Sequence, residues 1–168
     1  MQPPSQLIIS DDARDYFSVL ITDTRETLDV IAYAISQASA LDSRLHTSIY
    51  RQLLNAPARK ITCRILIATH PPNSPHEANN TIAANDLMHH GWQVARATRS
   101  PLMHAKLIVS DRRRAIIGSH NLTRAGLETN RELSIITEDF NVVTPAISWF
   151  DLQYAIALTT TTTRAAAR

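Results

Sequence analysis

One cysteine, two lysines and three glycines are all that 168 residues hold of those types. The lone thiol, Cys63, excludes an intramolecular disulfide and any cysteine-rich zinc site. No apolar run approaches the roughly 20 residues that span a bilayer; the longest, such as 30–35, are strand-sized. The opening MQPPS lacks a basic start and an apolar segment, so no signal peptide is expected. The scarcity of lysine has a converse, because 15 of the 17 basic residues are arginine. That excess favours planar, bidentate contact with phosphate or carboxylate partners, although the net charge is only +2. With 44% hydrophobic and 19% charged residues, the composition suits a single soluble α/β domain, expected in the cytoplasm.

The hydrophobic pattern alternates between strand-like and helix-like segments. Residues 28–35 (LDVIAYAI), 61–68 (ITCRILIA), 92–97, 103–110, 114–118 and 132–137 read as strands. Residues 11–22, with Tyr16, Val19 and Leu20 at helical spacing, read as a helix entered through Ser10. So do 43–55, 78–90 and 140–158, the second closed by Gly91 and the last carrying Val143, Ile147, Phe150, Tyr154 and Leu158. Prolines make 70–75 a loop. The expected organisation is one domain over 1–158 and a disordered tail over 159–168.

Chemistry concentrates in 103–121, MHAKLIVSDRRRAIIGSHN. In a strand, His104, Lys106 and Ile108 share one face, while Ala105, Leu107 and Val109 share the other. The second set suits a core. The first puts an imidazole and an ammonium about 7 Å apart along the chain, a pairing that an anion between them would favour. A hairpin through Asp111, Arg112 and Arg113 returns Gly118, Ser119 and Asn121 toward His104. The result is an imidazole, an ammonium, a hydroxyl and an amide in one place. Such a set can hold the oxygens of a phosphate and supply a nucleophile or base.

The spacing resembles the phospholipase D superfamily, whose signature is His-x-Lys, four residues, Asp, six residues, Gly-Ser-x-Asn. His104, Lys106, Asp111, Gly118, Ser119 and Asn121 match every fixed position and both gaps. Independent draws from this composition would produce that match in fewer than about one chain in a million. The family tends to carry Asn-x-Glu about ten residues on, and Asn130, Arg131 and Glu132 stand there. The resemblance implies a phospholipase D-like fold, a mixed β-sheet with helices on both faces. Only one motif is present, and small single-motif members are homodimers with one shared active site.

By the same resemblance, His104 of one copy attacks phosphorus and forms a phosphohistidine. Its counterpart in the second copy protonates the leaving oxygen and then activates water. Lys106 and Asn121 hold the non-bridging oxygens, Ser119 donates a further hydrogen bond, and Glu132 orients a histidine, across the interface in dimeric relatives. Asp111 and Gly118 are read as structural, Asp111 at its turn, with an arginine as a candidate partner. No metal or other cofactor is implied. Arg112, Arg113 and Arg114 have two readings, a solvated turn or a basic lip beside the scissile phosphate, and Arg124 joins the nucleic-acid-binding set on the second. His120, Cys63, Trp92 and Trp149 are read as packing residues, and His70, His76, His89 and His90 lack a zinc-binding spacing. The short single-motif chain, the arginines around the motif and the lack of a membrane-docking element favour a non-specific, metal-independent endonuclease on DNA or RNA. Two alternatives stand beside it: the same chemistry on phospholipid, and a nucleic-acid-binding subunit of a restriction or defence complex.

Overall fold

A computed structural model describes residues 5–37 and 48–166, apart from the side chains of Asp11 and 161–166. Along the chain run β1 (Gln6–Ile9), α1 (Ala13–Asp23), β2 (Thr27–Ala32), α2 (Ile49–Asn55), β3 (Thr62–Ile67) and α3 (Pro75–His89). Then come β4 (Gln93–Arg96), β5 (Leu107–Ser110), β6 (Arg114–Gly118), α4 (Arg124–Glu128), β7 (Leu133–Thr137) and α5 (Phe140–Ala166). All seven strands join one sheet in the order β1-β7-β6-β5-β2-β3-β4. Strands β2, β3 and β4 are parallel; β5, β6, β7 and β1 extend the sheet antiparallel from β2. The mixed sheet with helices on both faces is the architecture expected from the motif.

Strand alternation divides the core in two. Val30, Ile65, Ile108, Ile116 and Ile8 face α1, α2 and α3 and pack with Phe17, Leu20, Leu53 and Leu87. Ile31, Leu66, Val109 and Ala115 face α5 and pack with Val143, Ile147, Phe150 and Tyr154. Each such side chain contributes about 1.5–3 kcal/mol by leaving water. Helix α1 turns its Phe17, Leu20 and Ile21 face inward, while Val19, expected there, is half exposed. Cys63 is buried in β3, and burial pushes its thiol up to about 12.

Short-range signals place several helix ends. Ser48, Ser74 and Thr123 accept from the backbone N–H groups of Arg51, His76 and Gly126 and so cap α2, α3 and α4. Gly91, at φ +94°, ends α3, with its N–H on Met88 O at 3.0 Å and the Trp92 N–H on Leu87 O at 3.0 Å. The sequence reading of 43–55 falls partly outside the described residues. At the C-terminal side, the helix does not stop at Leu158: backbone hydrogen bonding carries α5 to Ala166, through the threonines read as a tail. Ala157, not Leu158, takes the inward position there.

Charge ties α5 to the sheet. Asp29, buried in β2, accepts from Arg64 at 2.7 and 2.8 Å, and Arg64 also reaches Asp151 of α5 at 2.9 Å. Arg112 bonds Asp151 at 2.8 Å and lies 3.6 Å from Asp29. The Arg64 guanidinium sits 4.9 Å from the Phe150 ring centroid.

Candidate active site

The carboxyl ends of β1, β2, β3, β4 and β6 and the amino ends of β5 and β7 meet at one edge of the sheet. The register shows it: Ile31 pairs with Leu107, Leu107 with Ile117, Gly118 with Ser134, and Ile9 with Leu133. Ligands of open α/β sheets bind outside such an edge. His104, Lys106, Ser119, Asn121 and Glu132 all project from segments that begin or end there.

His104 and Lys106 do not lie in a regular strand, as expected for 103–110; β5 begins only at Leu107. The His104 carbonyl accepts from the Lys106 ammonium at 2.8 Å, so a side chain takes the place of a neighbouring strand. The ammonium also lies 3.2 Å from His104 Nε2. An ammonium can only donate, so Nε2 accepts and the ring proton sits on Nδ1. His104 is exposed and Lys106 half-buried. Burial pulls the Lys106 pKa below the usual lysine value, and the nearby Glu132 carboxylate offsets only part of that.

On the other side of the edge, β6 and β7 close on each other. The Ser119 and Leu133 backbones pair at 3.0 Å, and the Leu133 N–H also donates to Ser119 Oγ at 3.0 Å. Ser119 Oγ donates to Glu132, whose other oxygen accepts from Asn130 Nδ2 at 3.1 Å. Within one chain Glu132 therefore holds Ser119 and Asn130, not His104, and the Ser119 proton is engaged by Glu132. Gly118 makes the close approach possible: a Cβ there would lie 2.1 Å from Ser134 Oγ and 2.4 Å from Ser134 Cα. Gly126 does the same for Asn121, whose backbone oxygen would be 2.5 Å from an added Cβ. Asn121 Oδ1 is buried without a hydrogen-bond partner among the described residues. His120 is buried, with Nδ1 2.6 Å from Ser134 Oγ and its ring against Phe17. Burial lowers its pKa against the pull of Glu132, in keeping with a packing role.

The remaining motif position and the arginine turn lie elsewhere. Asp111, at φ +51°, sits beyond the far end of β5, five residues or about 17 Å of strand from Lys106. Its carboxylate accepts from the backbone N–H groups of Glu26 at 2.7 Å, Thr27 at 3.0 Å and Arg25 at 3.0 and 3.1 Å. Burial pushes its pKa up, but these amides outweigh that and hold it below the usual carboxylate range. Among the described residues its hydrogen-bond partners are backbone amides, and the nearby Arg25 charge adds to their pull on the carboxylate.

Arg112, Arg113 and Arg114 share that far end, so they form no lip beside His104. The hairpin turn points its tip away from the edge where the strands of the site end. Arg112 is committed to Asp29 and Asp151, and Arg114 lies 3.5 Å from Asp23 and 4.0 Å from Glu138. Arg124 opens α4 near Asn121 and pairs with Glu128 at 3.1 Å. Arg99 and Arg131 are exposed and flank β4 and β7 at the edge of the site.

Three residues absent from the motif form a ring cluster that reaches His104 through Tyr33. The Tyr33 ring meets the His104 ring edge to face at 4.5 Å, and the His70 and His76 rings lie 4.6 and 5.7 Å from Tyr33. Tyr33 follows β2, and His70 lies three residues beyond β3. Their place after parallel strands was the available signal, but only the strand order shows that those two ends adjoin. Among the described residues no three His, Cys, Asp or Glu side chains group as a metal site, and His70 Nε2 is turned to the Tyr33 carbonyl at 2.9 Å. No helix among the described residues is long and apolar enough to cross a membrane.

Comparison with known proteins identifies the family and the fold. Residues 18–153 match a family model described as the cardiolipin synthase, PLD-like domain. No curated protein sequence matches the chain. Among solved structures, Nuc from Salmonella typhimurium, a phospholipase D family member, is 16% identical with a TM-score of 0.73, covering 90% of this chain and 95% of its own. NucT from Helicobacter pylori is 16% identical with a TM-score of 0.70, covering 89% and 94%. A phosphatidylserine synthase from Haemophilus influenzae is 13% identical with a TM-score of 0.59, covering 89% of this chain but 37% of its own. At such identities the structural likeness speaks for the fold, while the family match spans most of the chain. This chain therefore belongs to the phospholipase D-like phosphodiesterase superfamily.

Proposed function

We propose that the chain is a metal-independent endonuclease that hydrolyses DNA or RNA through a phosphohistidine, at a site completed by a second copy of itself. The observation that carries the reading is the contact of Lys106 Nζ with His104 Nε2 at 3.2 Å. It pairs one nucleophile with one oxyanion-binding cation, and because the His-x-Lys motif occurs once in the sequence, a second copy supplies the matching imidazole as the acid. His104 Nε2 attacks phosphorus, and an N–P bond forms as the bond to the leaving oxygen breaks. The same residue of the second copy gives that oxygen its proton. It then takes a proton from water; the resulting hydroxide attacks phosphorus, and the N–P bond breaks. Lys106 exchanges its contact with Nε2 for the phosphoryl oxygens, which frees the lone pair and neutralises developing charge. Asn121 adds a donor; Ser119 does so only by giving up its bond to Glu132, which frees that carboxylate to orient a histidine of the second copy, in the roles the family implies.

Two further features support the reading. Leu7, Ile9 and Leu133 are more than half exposed on the sheet face where α5 leaves β1 and β7 uncovered, directly beside Glu132. A second copy seated there would bury them next to the site. The exposed Arg99 and Arg131, with Arg124, offer phosphate contacts at the same edge. The test is cleavage of plasmid, single-stranded DNA and RNA in EDTA, with His104→Ala beside the native chain and sizing of both. EDTA-resistant cleavage by a dimer, lost in the variant, is expected; a stable monomer, or a dimer that cuts no nucleic acid, refutes the reading. The family model's description and the phosphatidylserine synthase likeness favour a second substrate, phospholipid. That reading predicts headgroup release from vesicles in the same EDTA buffer.

A further inference from the structure

We propose that Tyr33 is a positioning residue of this site, its ring the platform on which the Lys106 ammonium and the His104 imidazole are held in register before substrate arrives. The inference rests on the reading of His104 and Lys106 as the reacting pair. It starts from a contact set centred on one ring. Lys106 Nζ lies 4.6 Å from the Tyr33 centroid, over its face. The His104 ring meets the same ring at 4.5 Å and 71°, and the His70 ring meets it at 4.6 Å and 88°. An aromatic face is negative and attracts an ammonium, and edge-to-face contacts fix the angle between rings.

The platform is itself held from behind. The Tyr33 carbonyl accepts from His70 Nε2 at 2.9 Å and from Asn80 Nδ2 at 2.9 Å. Asn80 is fully buried on α3, and its Oδ1 accepts from the Ile35 N–H at 3.0 Å. His70 is buried, and its backbone N–H donates to Glu77 at 2.7 Å. The segment after β2 is thus clamped by side chains from two other elements, and Tyr33 inherits that rigidity. His104 has no comparable tether of its own: it is exposed and lies in an irregular stretch. Its ring orientation comes from Tyr33 on one side and Lys106 on another. The Tyr33 hydroxyl has no hydrogen-bond partner among the described residues, so the ring, not the hydroxyl, carries the role. Phenylalanine should therefore replace it and an aliphatic residue should not.

The primary readout needs no substrate: long-range ¹H–¹⁵N NMR of the histidine rings in the full chain, with Tyr33→Phe and Tyr33→Leu. In the native chain and Tyr33→Phe, His104 Nε2 is expected to show the shift of an accepting nitrogen. In Tyr33→Leu, both ring nitrogens should move toward the average of the two tautomers. On bis(p-nitrophenyl) phosphate, Tyr33→Leu should lose about 10–30-fold in kcat with KM within about twofold, and Tyr33→Phe should recover most of it. If His104 nitrogen signals in Tyr33→Leu coincide with the native ones, the proposal is overturned, whatever the activity. Tyr33→Met, closer in volume, gives the same reading should Tyr33→Leu fail to fold. Absence of any hydrolysis by the native chain would overturn the phosphodiesterase reading alone, because the nitrogen signals are read without substrate.

Discussion

Replacing Asp111 separates the architecture of the motif from its chemistry. The carboxylate takes three backbone amides, at 2.7 to 3.1 Å, from the turn that leads into β2. A buried charge-assisted hydrogen bond contributes about 1.5–3 kcal/mol; solvent exposure of these bonds roughly halves that, leaving about 2–4 kcal/mol for the three. Asp111 also stands at φ +51°, where alanine costs about 1 kcal/mol more than Asp or Asn. Asp111→Ala should therefore destabilise by about 3–5 kcal/mol and lower Tm by roughly 6–20 °C for a chain of this size. Asp111→Asn, which keeps the turn conformation and one acceptor oxygen, should lose about half as much. The pH dependence has a definite sign. The folded pKa is depressed, so the native carboxylate stabilises fully above the unfolded value, about 3.9. That contribution is lost as pH falls from there through the folded value, and the Tm gap between native chain and variant should narrow over that window. Phosphodiesterase activity, measured well below Tm, should stay within about threefold of native, since about 17 Å of strand separates Asp111 from Lys106. A variant that melts within about 2 °C of the native chain, or one with native Tm and activity reduced more than tenfold, would refute the reasoning.

Other perturbations probe the same frame. Gly118→Ala should cost at least about 3 kcal/mol in a urea melt, because the added Cβ would stand 2.4 Å from Ser134 Cα and 2.5 Å from Leu133 O. Pairing it with Ser134→Gly should not restore stability, since both backbone atoms remain; full recovery would show that only the hydroxyl was in the way. Arg131→Ser should reduce the slope of log affinity for nucleic acid against log salt by about 0.7–0.9, while Arg113→Ser leaves it unchanged. The reverse pattern would return the basic footprint to the hairpin turn.

Local patterning made much of this molecule legible. Six of the seven strands and the long helices follow from apolar periodicity, because a buried sheet and an amphipathic helix impose different spacings on their residues. Strand β1 is too short to read: of Gln6, Leu7, Ile8 and Ile9 only Ile8 is buried, and pairing with β7 makes the segment a strand. On α1, Tyr16 and Leu20 pack inward as the spacing predicts and Val19 does not, because Tyr16, Phe17, Val19, Leu20 and Ile21 are all apolar or aromatic and more of them are present than one face holds. The sheet selects Phe17, Leu20 and Ile21 among them.

The candidate pair was legible for a covalent reason. His104 and Lys106 are two residues apart, so chain geometry brings their side chains together in almost any extended conformation. Gly118, Ser119 and Asn121 followed because a tight hairpin returns them to the same edge. Tyr33, which meets His104, and His70, which meets Tyr33, are distant in sequence from that pair, and only the order β5-β2-β3 brings them to the same edge. Arg112, Arg113 and Arg114 show the converse, since a few residues of extended chain carry them to the opposite end of the hairpin. Sequence proximity therefore determined which motif side chains meet, while strand order and direction decided which others stand within reach of them.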